Sequence, residues 1–414
     1  MKKNIAILGL FLVLSTLSGQ QIKYYDLELK INVPERKIDV NGTVQIDLND
    51  EDSISLILWK NTDINSINID KKQVDYLFDT LGQSPNYFIP NGKSLTLKNL
   101  KSDKDEITVN FSYNCNMDNV TGWAKSFTEE WIELGFYTAW YPVHSTSKNF
   151  TSTIKVSIDK SFIVSGSGMV SNKGDVWEIK HNWPIYDNVI IASKDLKIKE
   201  IREDNIALDL VYTTFPENDL DSVSIRCKEG FNYFSSIFGT PDDSYLKFVI
   251  NPLSGNGGYG RARFFTMKAG ELNQYLIGGI AHEMSHFWWH NAETTTWEDW
   301  LNEAFAEYSM LIFIRDKVNK AEFNKNVKQY KEWTVNAKPI WGIDRDAMEA
   351  YDALYTKGSL ILLAFENRIG TQAFFQLLNK INAKKFSNTE DFLNFIESEL
   401  SKEDRDWIEN KLKS

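Results

Sequence analysis

The residues best suited to chemistry lie in one pentad, His282-Glu283-Met284-Ser285-His286. If this stretch is helical, side chains four positions apart share one face, so the imidazoles of His282 and His286 can reach a single ion. Imidazole nitrogens are common zinc ligands, and Glu283 would project beside that ion, where its carboxylate can act as a base. The pattern therefore predicts a zinc site that activates water. The alternative is a buried helix in which both histidines are hydrogen-bonded core residues.

A zinc site that performs chemistry needs a third protein ligand and one open position. The next predicted helix offers a carboxylate, since sixteen residues separate His286 from Glu303. Glu307 lies one turn further along and is expected to hydrogen-bond a ligand imidazole, which would fix the orientation of that ring. The alternative is that both glutamates are solvated helix charges. On the first interpretation, one Zn2+ ion is held by His282, His286 and Glu303.

The second helix carries the phrase Trp-Leu-Asn-Glu-Ala-Phe-Ala over residues 300–306. Together with the histidine pentad, this phrase resembles the motifs of the gluzincin zinc aminopeptidases, the family of aminopeptidase N and leukotriene hydrolase. The family has eighteen residues between the motifs and Gly in place of Ala304, whereas this chain has sixteen residues there. A loop shortened by two residues around 292–296 would explain the spacing. The chain resembles a short two-domain member, without the family's extra C-terminal helical domain.

The resemblance implies catalytic roles for two residues. Residues 355–358 read Tyr-Thr-Lys-Gly and resemble the family's Tyr-x-Lys-Gly phrase, so Tyr355 would stabilise the oxyanion, with Glu283 as the general base. Tyr351 is the substitute candidate, although a packing role is favoured. His290 lies one turn past the ligands and is not expected to bind metal. Core packing is the expected role of the neighbouring tryptophans Trp288, Trp289 and Trp297.

The resemblance also implies where a substrate binds. In the family, a Gly-x-Met-Glu-Asn strand precedes the zinc helix, and its Glu holds the free α-amine of the substrate. The corresponding segment here, residues 255–260, is rich in glycine, and Gly257 is nearest to the Glu position. Gly257, Gly258 and Tyr259 are the predicted substrate-binding residues, through backbone groups that pair with an extended peptide. Glu133 falls where the family often places a second amine-contacting acid, but an ordinary surface glutamate is an equal alternative.

Several functions remain open because the amine-anchoring Glu is missing at Gly257. The first interpretation is a secreted, aminopeptidase-like zinc peptidase. A zinc endopeptidase, or a peptidase for N-blocked substrates, is the alternative. A non-catalytic, zinc-stabilised binding module is disfavoured, because a structural site needs neither Glu283 nor Tyr355. Arg261 and Arg263 could hold a substrate carboxylate, but solvent-exposed charges are the expected role.

The elements that must position these residues change character near residue 200. Apolar residues alternate in 25–33 and 44–48, which predicts a hairpin and an antiparallel β saddle or sandwich domain over 21–200. Beyond it, apolar residues recur at helical spacing, and helices are predicted at 220–238, 271–290, 297–316, 320–333, 357–369, 371–381 and 389–400. The resemblance makes 201–414 a mostly α-helical, thermolysin-like catalytic domain. The predicted fold class is therefore α+β.

Composition narrows the partners and the compartment. With 46 basic and 57 acidic residues the net charge is −11, which argues against nucleic acid as the main partner. The resemblance to zinc aminopeptidases implies a peptide or protein as the partner. Lys2 and Lys3 precede about thirteen mostly apolar residues, too few to span a bilayer. This layout predicts a signal peptide over 1–20 and an exported, periplasmic or secreted protein without stable membrane insertion. Two cysteines, Cys115 and Cys227, exclude a disulfide-stapled scaffold, and the oligomeric state stays open.

Overall fold

The computed structural model describes residues 20–100, 106–144, 149–203, 206–241 and 244–414. The predicted signal peptide, apart from Gln20, lies outside these residues, and export stays a prediction. Across the described ranges, no helix has both the length and the apolar composition needed to cross a bilayer.

Three sheets form the first half of the described chain. Their strands are β1 Gln21–Asn32, β2 Lys37–Asp47, β3 Ile54–Trp59, β4 Thr62–Ile69, β5 Lys72–Gln73, β6 Asp75–Asp79, β7 Gly92–Lys98, β8 Glu106–Asn116, β9 Ser126–Phe127, β10 Ile132–Leu134, β11 Phe150–Ser157, β12 Ile163–Gly166, β13 Met169–Lys173, β14 Val176–Ile185 and β15 Ile190–Ser193. The largest sheet has the order β13-β14-β11-β1-β2-β8-β4-β5, and the others are β3-β7-β6 and β12-β15-β10-β9. The predicted hairpin is β1–β2, and β1 runs parallel to β11 on its other side.

The alternation along β1 shows why this half folds into sheets. Tyr25, Leu27 and Leu29 are buried, whereas Glu28 and Lys30 are exposed. Because successive side chains of a strand point to opposite faces, one face of the sheet covers the core and the other faces water.

A mixed five-stranded sheet begins the second half. Its strands are β16 Lys197–Glu203, β17 Ile206–Tyr212, β18 Tyr245–Asn251, β19 Gly258–Arg261 and β20 Phe264–Lys268. Their order is β16-β17-β18-β20-β19, so β19, which comes from the glycine-rich segment, lies at an edge. An edge strand keeps backbone N–H and C=O groups that can pair with an extended chain. The predicted domain boundary at residue 200 falls within β16 and stays a prediction.

Eight α-helices lie within the described ranges. They are α1 Glu217–Phe238, α2 Gln274–Ser285, α3 Trp300–Phe313, α4 Lys320–Trp333, α5 Gly358–Ile369, α6 Thr371–Lys384, α7 Thr389–Glu399 and α8 Lys402–Lys413. Short 3-10 turns occur at Phe136–Thr138 and Trp297–Asp299, and π-helical turns at Ile314–Val318 and Asp352–Lys357. A β-rich first domain followed by a mostly helical second domain confirms the predicted α+β fold class.

The helix of the histidine pentad, α2, is shorter than the predicted 271–290. It begins after Asn273, whose side chain accepts a hydrogen bond from the N–H of Leu276 at 2.9 Å and so caps the helix. It ends at Ser285. Trp288 and Trp289 follow the helix end and are buried in the core, which is the role predicted for them.

The sequence does not predict helix α8. Only Ile408 and Leu412 among its twelve residues are buried, so the apolar stripe is too narrow to give a helical period. Ser401 caps the helix by accepting from the N–H of Asp404 at 3.1 Å. The predicted helix 297–316 is also divided, into a 3-10 turn, α3 and a π-helical turn.

Candidate metal centre

The three predicted ligand side chains meet where α2 faces α3. His282 lies in the last turn of α2, His286 directly follows that helix, and Glu303 lies in the first turn of α3. Glu303 Oε2 is 3.4 Å from His282 Nε2 and 3.5 Å from His286 Nε2. Ligands about 2.0–2.1 Å from a tetrahedral zinc ion stand about 3.4 Å from one another. The three side chains therefore fit zinc.

Hydrogen bonds at the opposite ring nitrogens direct both Nε2 atoms toward this centre. His282 Nδ1 is 2.7 Å from Glu307 Oε2, and His286 Nδ1 is 2.9 Å from the carbonyl oxygen of Trp289. Since these oxygens accept, each Nδ1 donates, and Nε2 is the ring nitrogen that would bind a metal on losing its proton. Tyr330 donates its hydroxyl to the other oxygen of Glu307. The predicted contact between Glu307 and a ligand imidazole is thus present in the structure.

The charge of Glu303 dominates the electrostatics of the group. Burial acts to lower the pKa of His282, but its hydrogen bonds to Glu303 and Glu307 raise that pKa well above its usual value. Burial likewise opposes Glu303 ionisation, but the two imidazoles hold the pKa of this carboxyl well below its usual range. A half-buried carboxylate that stays ionised beside two imidazoles is suited to bind a divalent cation.

Glu283 lies beside the ligand atoms and is not one of them. Its side chain is buried, and burial raises its pKa, while the two imidazoles act in the opposite direction. A buried carboxylate of raised pKa at the edge of a polar cluster can accept and release a proton, as a general base must.

Tyr355 faces the ligands from the π-helical turn before α5. Its ring stacks on that of His282, with ring centres 6.2 Å apart and planes inclined by 5°. Burial, and next the charge of Glu303, raise the pKa of the phenol well above 10, so Tyr355 keeps its proton and can donate a hydrogen bond. Tyr351 stacks on Tyr355 at 4.5 Å between ring centres, which is the packing role predicted for it.

Other candidates lie outside the ligand group. His290 is exposed, and its Nδ1 bonds to the carbonyl oxygen of His286 at 2.8 Å. Trp297 packs against Trp341 with ring centres 4.9 Å apart. Among the residues that the structure describes, one group of three or more His, Cys, Asp or Glu side chains could hold a metal ion. It consists of His282, His286 and Glu303.

Strand β19 lies against the zinc-site helix. A Cβ atom at Gly260 would stand 2.9 Å from the carbonyl oxygen of Glu283, so the close approach requires glycine. Gly258 opens the strand and Gly257 precedes it, so their backbone lies at the sheet edge beside α2. Tyr259 is buried, so its side chain does not face a substrate groove. The N–H of Gly257 is bonded to Tyr275 and its carbonyl oxygen to the N–H of Lys268, at 2.6 and 2.9 Å, and substrate binding by Gly257, Gly258 and Tyr259 stays a prediction.

Glu133 is not a surface residue, so the surface alternative is wrong. It lies in β10 at 1% exposure. Its carboxylate accepts from the hydroxyl of Tyr259 at 2.8 Å, the indole N–H of Trp131 at 3.1 Å and the amide of Asn251 at 2.5 Å. The structure therefore does not bring Glu133 into the ligand group. Its carboxylate joins the first domain to β18 and β19 instead.

The expected solvent exposure of Arg261 is also wrong. Arg261 is 7% exposed, and its Nε donates to Asp187 at 2.7 Å. The guanidinium also packs over the ring of Tyr259 at 4.5 Å. Arg263 packs over Trp183 at 4.5 Å. Both arginines therefore hold the two halves of the molecule together.

Three further residues border the site without being predicted. Arg345 donates to the hydroxyl oxygen of Tyr355 at 3.2 Å. The hydroxyl of Tyr275 accepts from the N–H of Gly257 at 2.6 Å, and the indole of Trp123 packs directly on the same glycine. None of the three belongs to a local motif, so no sequence pattern indicates them.

The sequence profile of the peptidase family M1 domain matches residues 266–411, which contain α2, α3 and Tyr355. No curated protein matches the sequence. Among solved structures, an M1 zinc metallopeptidase from Deinococcus radiodurans is similar, with a TM-score of 0.75, 15% identity and coverage of 95% of this chain and 94% of that one. A two-domain M1 zinc metallopeptidase mutant bound to L-tryptophan has a TM-score of 0.74 at 14% identity. The match covers 96% of this chain and 95% of that one.

The yeast leukotriene A4 hydrolase in complex with bestatin has a TM-score of 0.73 at 18% identity. The match covers 95% of this chain and 66% of the yeast enzyme. At these identities the likenesses concern the fold. They agree with a β-rich domain followed by a helical domain of thermolysin-like type.

Proposed function

We propose that the chain is a zinc metallopeptidase that hydrolyses peptide bonds at one zinc ion held by His282, His286 and Glu303, in line with the peptidase family M1 profile over residues 266–411. The observation that carries this proposal is the spacing of their ligand atoms, 3.4 and 3.5 Å from the shared carboxylate oxygen. Glu283 and Tyr355 border the same group, so a base and a hydrogen-bond donor lie beside the metal position.

In the proposed mechanism one side chain transfers the protons and another stabilises the negative charge that develops on the carbonyl oxygen of the substrate. Bound zinc supplies a Lewis acid that polarises a carbonyl oxygen and lowers the pKa of water to about 7. Glu283 takes a proton from the attacking water and passes it to the leaving amine. Tyr355 donates its hydroxyl to the carbonyl oxygen as negative charge develops there, a kind of contact whose loss costs on the order of 10²–10³ in kcat. Glu307 keeps the ring of His282 in place.

We propose an aminopeptidase-like action on peptides bound along the edge of β19. The backbone of Gly258 begins the edge strand beside α2, where an extended substrate would pair with the sheet, whereas both backbone groups of Gly257 are already hydrogen-bonded within the protein. The Deinococcus radiodurans enzyme has been solved with a Tyr-Ser-Ala substrate, which documents such a ligand for that protein.

One observation favours a second candidate, cleavage of N-blocked or internal peptide bonds. A Cβ atom at Gly257 would stand 2.5 Å from the indole nitrogen of Trp123, and the φ of Gly257 is +117°. Both features exclude an acidic side chain at this position. Because the oxygens of Glu133 are engaged by three donors, this carboxylate does not replace the missing anchor.

A peptide-library digestion followed by mass spectrometry tests both candidates. The wild-type protein, the same protein after chelation and Glu283→Gln are compared on matched peptides with free and N-acetylated amines. We expect Glu283→Gln to retain one zinc per chain and to lose at least about 10²-fold in activity. Glu35→Gln, on the exposed β1–β2 turn, is the matched control. Activity that survives chelation or Glu283→Gln would contradict the mechanism, and equal cleavage of both peptide sets would reject the aminopeptidase label.

A further inference from the structure

Arg345 is a buried cation that the mechanism above does not use. It lies between α4 and the π-helical turn and is 9% exposed. Its Nε donates to Asp299 Oδ2 at 2.9 Å, and its Nη2 lies 2.8 Å from the same oxygen. The same Nη2 donates to the hydroxyl oxygen of Tyr355 at 3.2 Å. One guanidinium therefore joins a fixed carboxylate to the phenol of the site.

Asp299 is itself held in place at the start of α3. It is 1% exposed, and its other oxygen accepts from the amide of Asn302 at 2.9 Å. Asn302 also bonds to the N–H and the carbonyl of Ala292, at 3.1 and 3.2 Å. Because Asp299 lies four positions before Glu303, Arg345 ties Tyr355 to the helix that carries a proposed zinc ligand.

The hydrogen bond from Arg345 also decides where the phenol proton of Tyr355 can point. The ring plane is set by stacking on His282 and Tyr351. Within that plane the hydroxyl oxygen accepts the guanidinium N–H, and its own O–H is hydrogen-bonded to the carboxylate of Glu303. Tyr87 and Phe88 of the first domain lie 5.9 and 5.5 Å from the guanidinium and cover it.

We propose that Arg345 is a positioning residue for Tyr355. It holds the phenol oxygen at a fixed place relative to Glu303 and occupies the acceptor side of that oxygen, so the phenol proton stays on the side of Glu303, from which it can turn to the substrate carbonyl. A lysine has no planar fork and cannot hold Asp299 and Tyr355 with the same geometry. This inference rests on the proposed function, because it requires Tyr355 to contact the substrate.

The test is a double-mutant cycle with Arg345→Ala, Tyr355→Phe and the double variant. We expect Arg345→Ala to lower kcat about 10- to 100-fold, with KM changed less than about twofold. In the double variant, kcat should equal that of Tyr355→Phe, because Arg345 acts only through the phenol oxygen. Added guanidinium chloride, at concentrations below those that unfold the protein, should restore part of the activity of Arg345→Ala and none of that of the double variant.

Arg315→Ala is the matched control, because Arg315 pairs with the buried carboxylate of Glu366 beside Tyr308 and away from the ligands. Its kcat should match that of the wild type, and adding it to Tyr355→Phe should leave the kcat of Tyr355→Phe unchanged. Arg345→Lys serves if Arg345→Ala does not fold, as judged by zinc content and melting temperature. Independent, multiplying effects of Arg345 and Tyr355, or a rise in KM alone, would overturn the inference. Undiminished kcat in Tyr355→Phe would instead contradict the proposed role of Tyr355.

Discussion

Glu303 is the residue on which the zinc interpretation depends most. It is the one acidic member of the ligand group, and one of its oxygens is nearly equidistant from both imidazoles. In the proposed site its carboxylate would supply both a ligand atom and the charge that offsets the cation. Glu307 contributes differently, by fixing the orientation of His282.

Replacing Glu303 should remove the metal. We expect Glu303→Ala to be purified without stoichiometric zinc, whereas Glu307→Ala should weaken zinc binding about 10- to 100-fold, because it removes only an orienting contact. Zinc content and a competition titration with a chelator measure both effects. Glu322→Ala, on α4, is the control. Stoichiometric zinc in Glu303→Ala would exclude this residue as a ligand.

His181 should make stability depend on pH. It is 2% exposed, its ring nitrogens contact Ser152 and Ser167, and burial lowers its pKa to about 3. Since the unfolded chain binds a proton near pH 6.5 and the folded chain does not, its contribution is present above pH 6.5 and is lost as the pH falls toward 3, by about 1.4 kcal/mol per pH unit.

Urea unfolding at pH 7, 6 and 5 measures this effect. His181→Asn should lower the free energy of unfolding at pH 7 and flatten its fall toward pH 5, whereas His290→Asn, at an exposed position, should keep the wild-type slope. An unchanged slope in His181→Asn would assign the dependence to other groups.

At the scale of elements, the crossing of α3 and α5 fixes the distance between Glu303 and Tyr355. A Cβ atom at Gly358 would stand 2.5 Å from Cβ of Ala304. Ala304 adjoins Glu303, and Gly358 comes three positions after Tyr355. There is therefore room for one methyl group between the helices, and here Ala304 carries it.

Adding a second methyl group should displace both functional residues. We expect Gly358→Ala to lower the free energy of unfolding by about 1–3 kcal/mol and to lower kcat. The reason is that the new methyl group would overlap with that of Ala304 and push α5 away from α3. The double variant with Ala304→Gly moves the methyl group to the other helix and should recover most of both losses. Thermal unfolding and steady-state kinetics measure the recovery. Equal losses in the single and double variants would show that the contact does not set the spacing.

Local patterns predict the elements that carry the ligands, because each apolar stripe arises within one helix, α2 or α3, and the spacing of His282 and His286 spans a single turn at the end of α2. The burial of Glu133, Arg261 and Arg345 cannot be predicted from local sequence patterns. Their partners are 118, 74 and 46 positions away along the chain. The end of α2 at Ser285 cannot be predicted from local patterns either, because it depends on how the following tryptophans pack into the core.

At the scale of the whole molecule, the two domains share buried polar contacts. Besides the pair of Arg261 and Asp187, the ammonium group of Lys247 donates to the carbonyl oxygens of Gly166 and Gly168, each at 2.8 Å. These contacts join β18 and β19 of the five-stranded sheet to the first domain. The edge strand beside the zinc site is therefore held in place by both halves.

Breaking the pair of Arg261 and Asp187 should destabilise the whole protein. Arg261→Ala leaves the fully buried carboxylate of Asp187 without its charge partner, which costs about 3–5 kcal/mol. Arg226→Ala is the control, because its pair with Glu229 lies at the surface, where such pairs contribute about 0–1 kcal/mol. Denaturant unfolding measures both. A similar, small loss in the two variants would show that the buried pair does not stabilise the domain contact.

Both thiols of the chain, Cys115 and Cys227, are unpaired and fully buried. Burial raises the pKa of Cys115 to about 12 and that of Cys227 further, so neither forms the thiolate that reacts with oxidants or alkylating reagents. The folded chain therefore needs no particular redox potential around it. It can be purified without reductants that would compete for its metal, and any cysteine introduced at the surface would be its sole point of labelling.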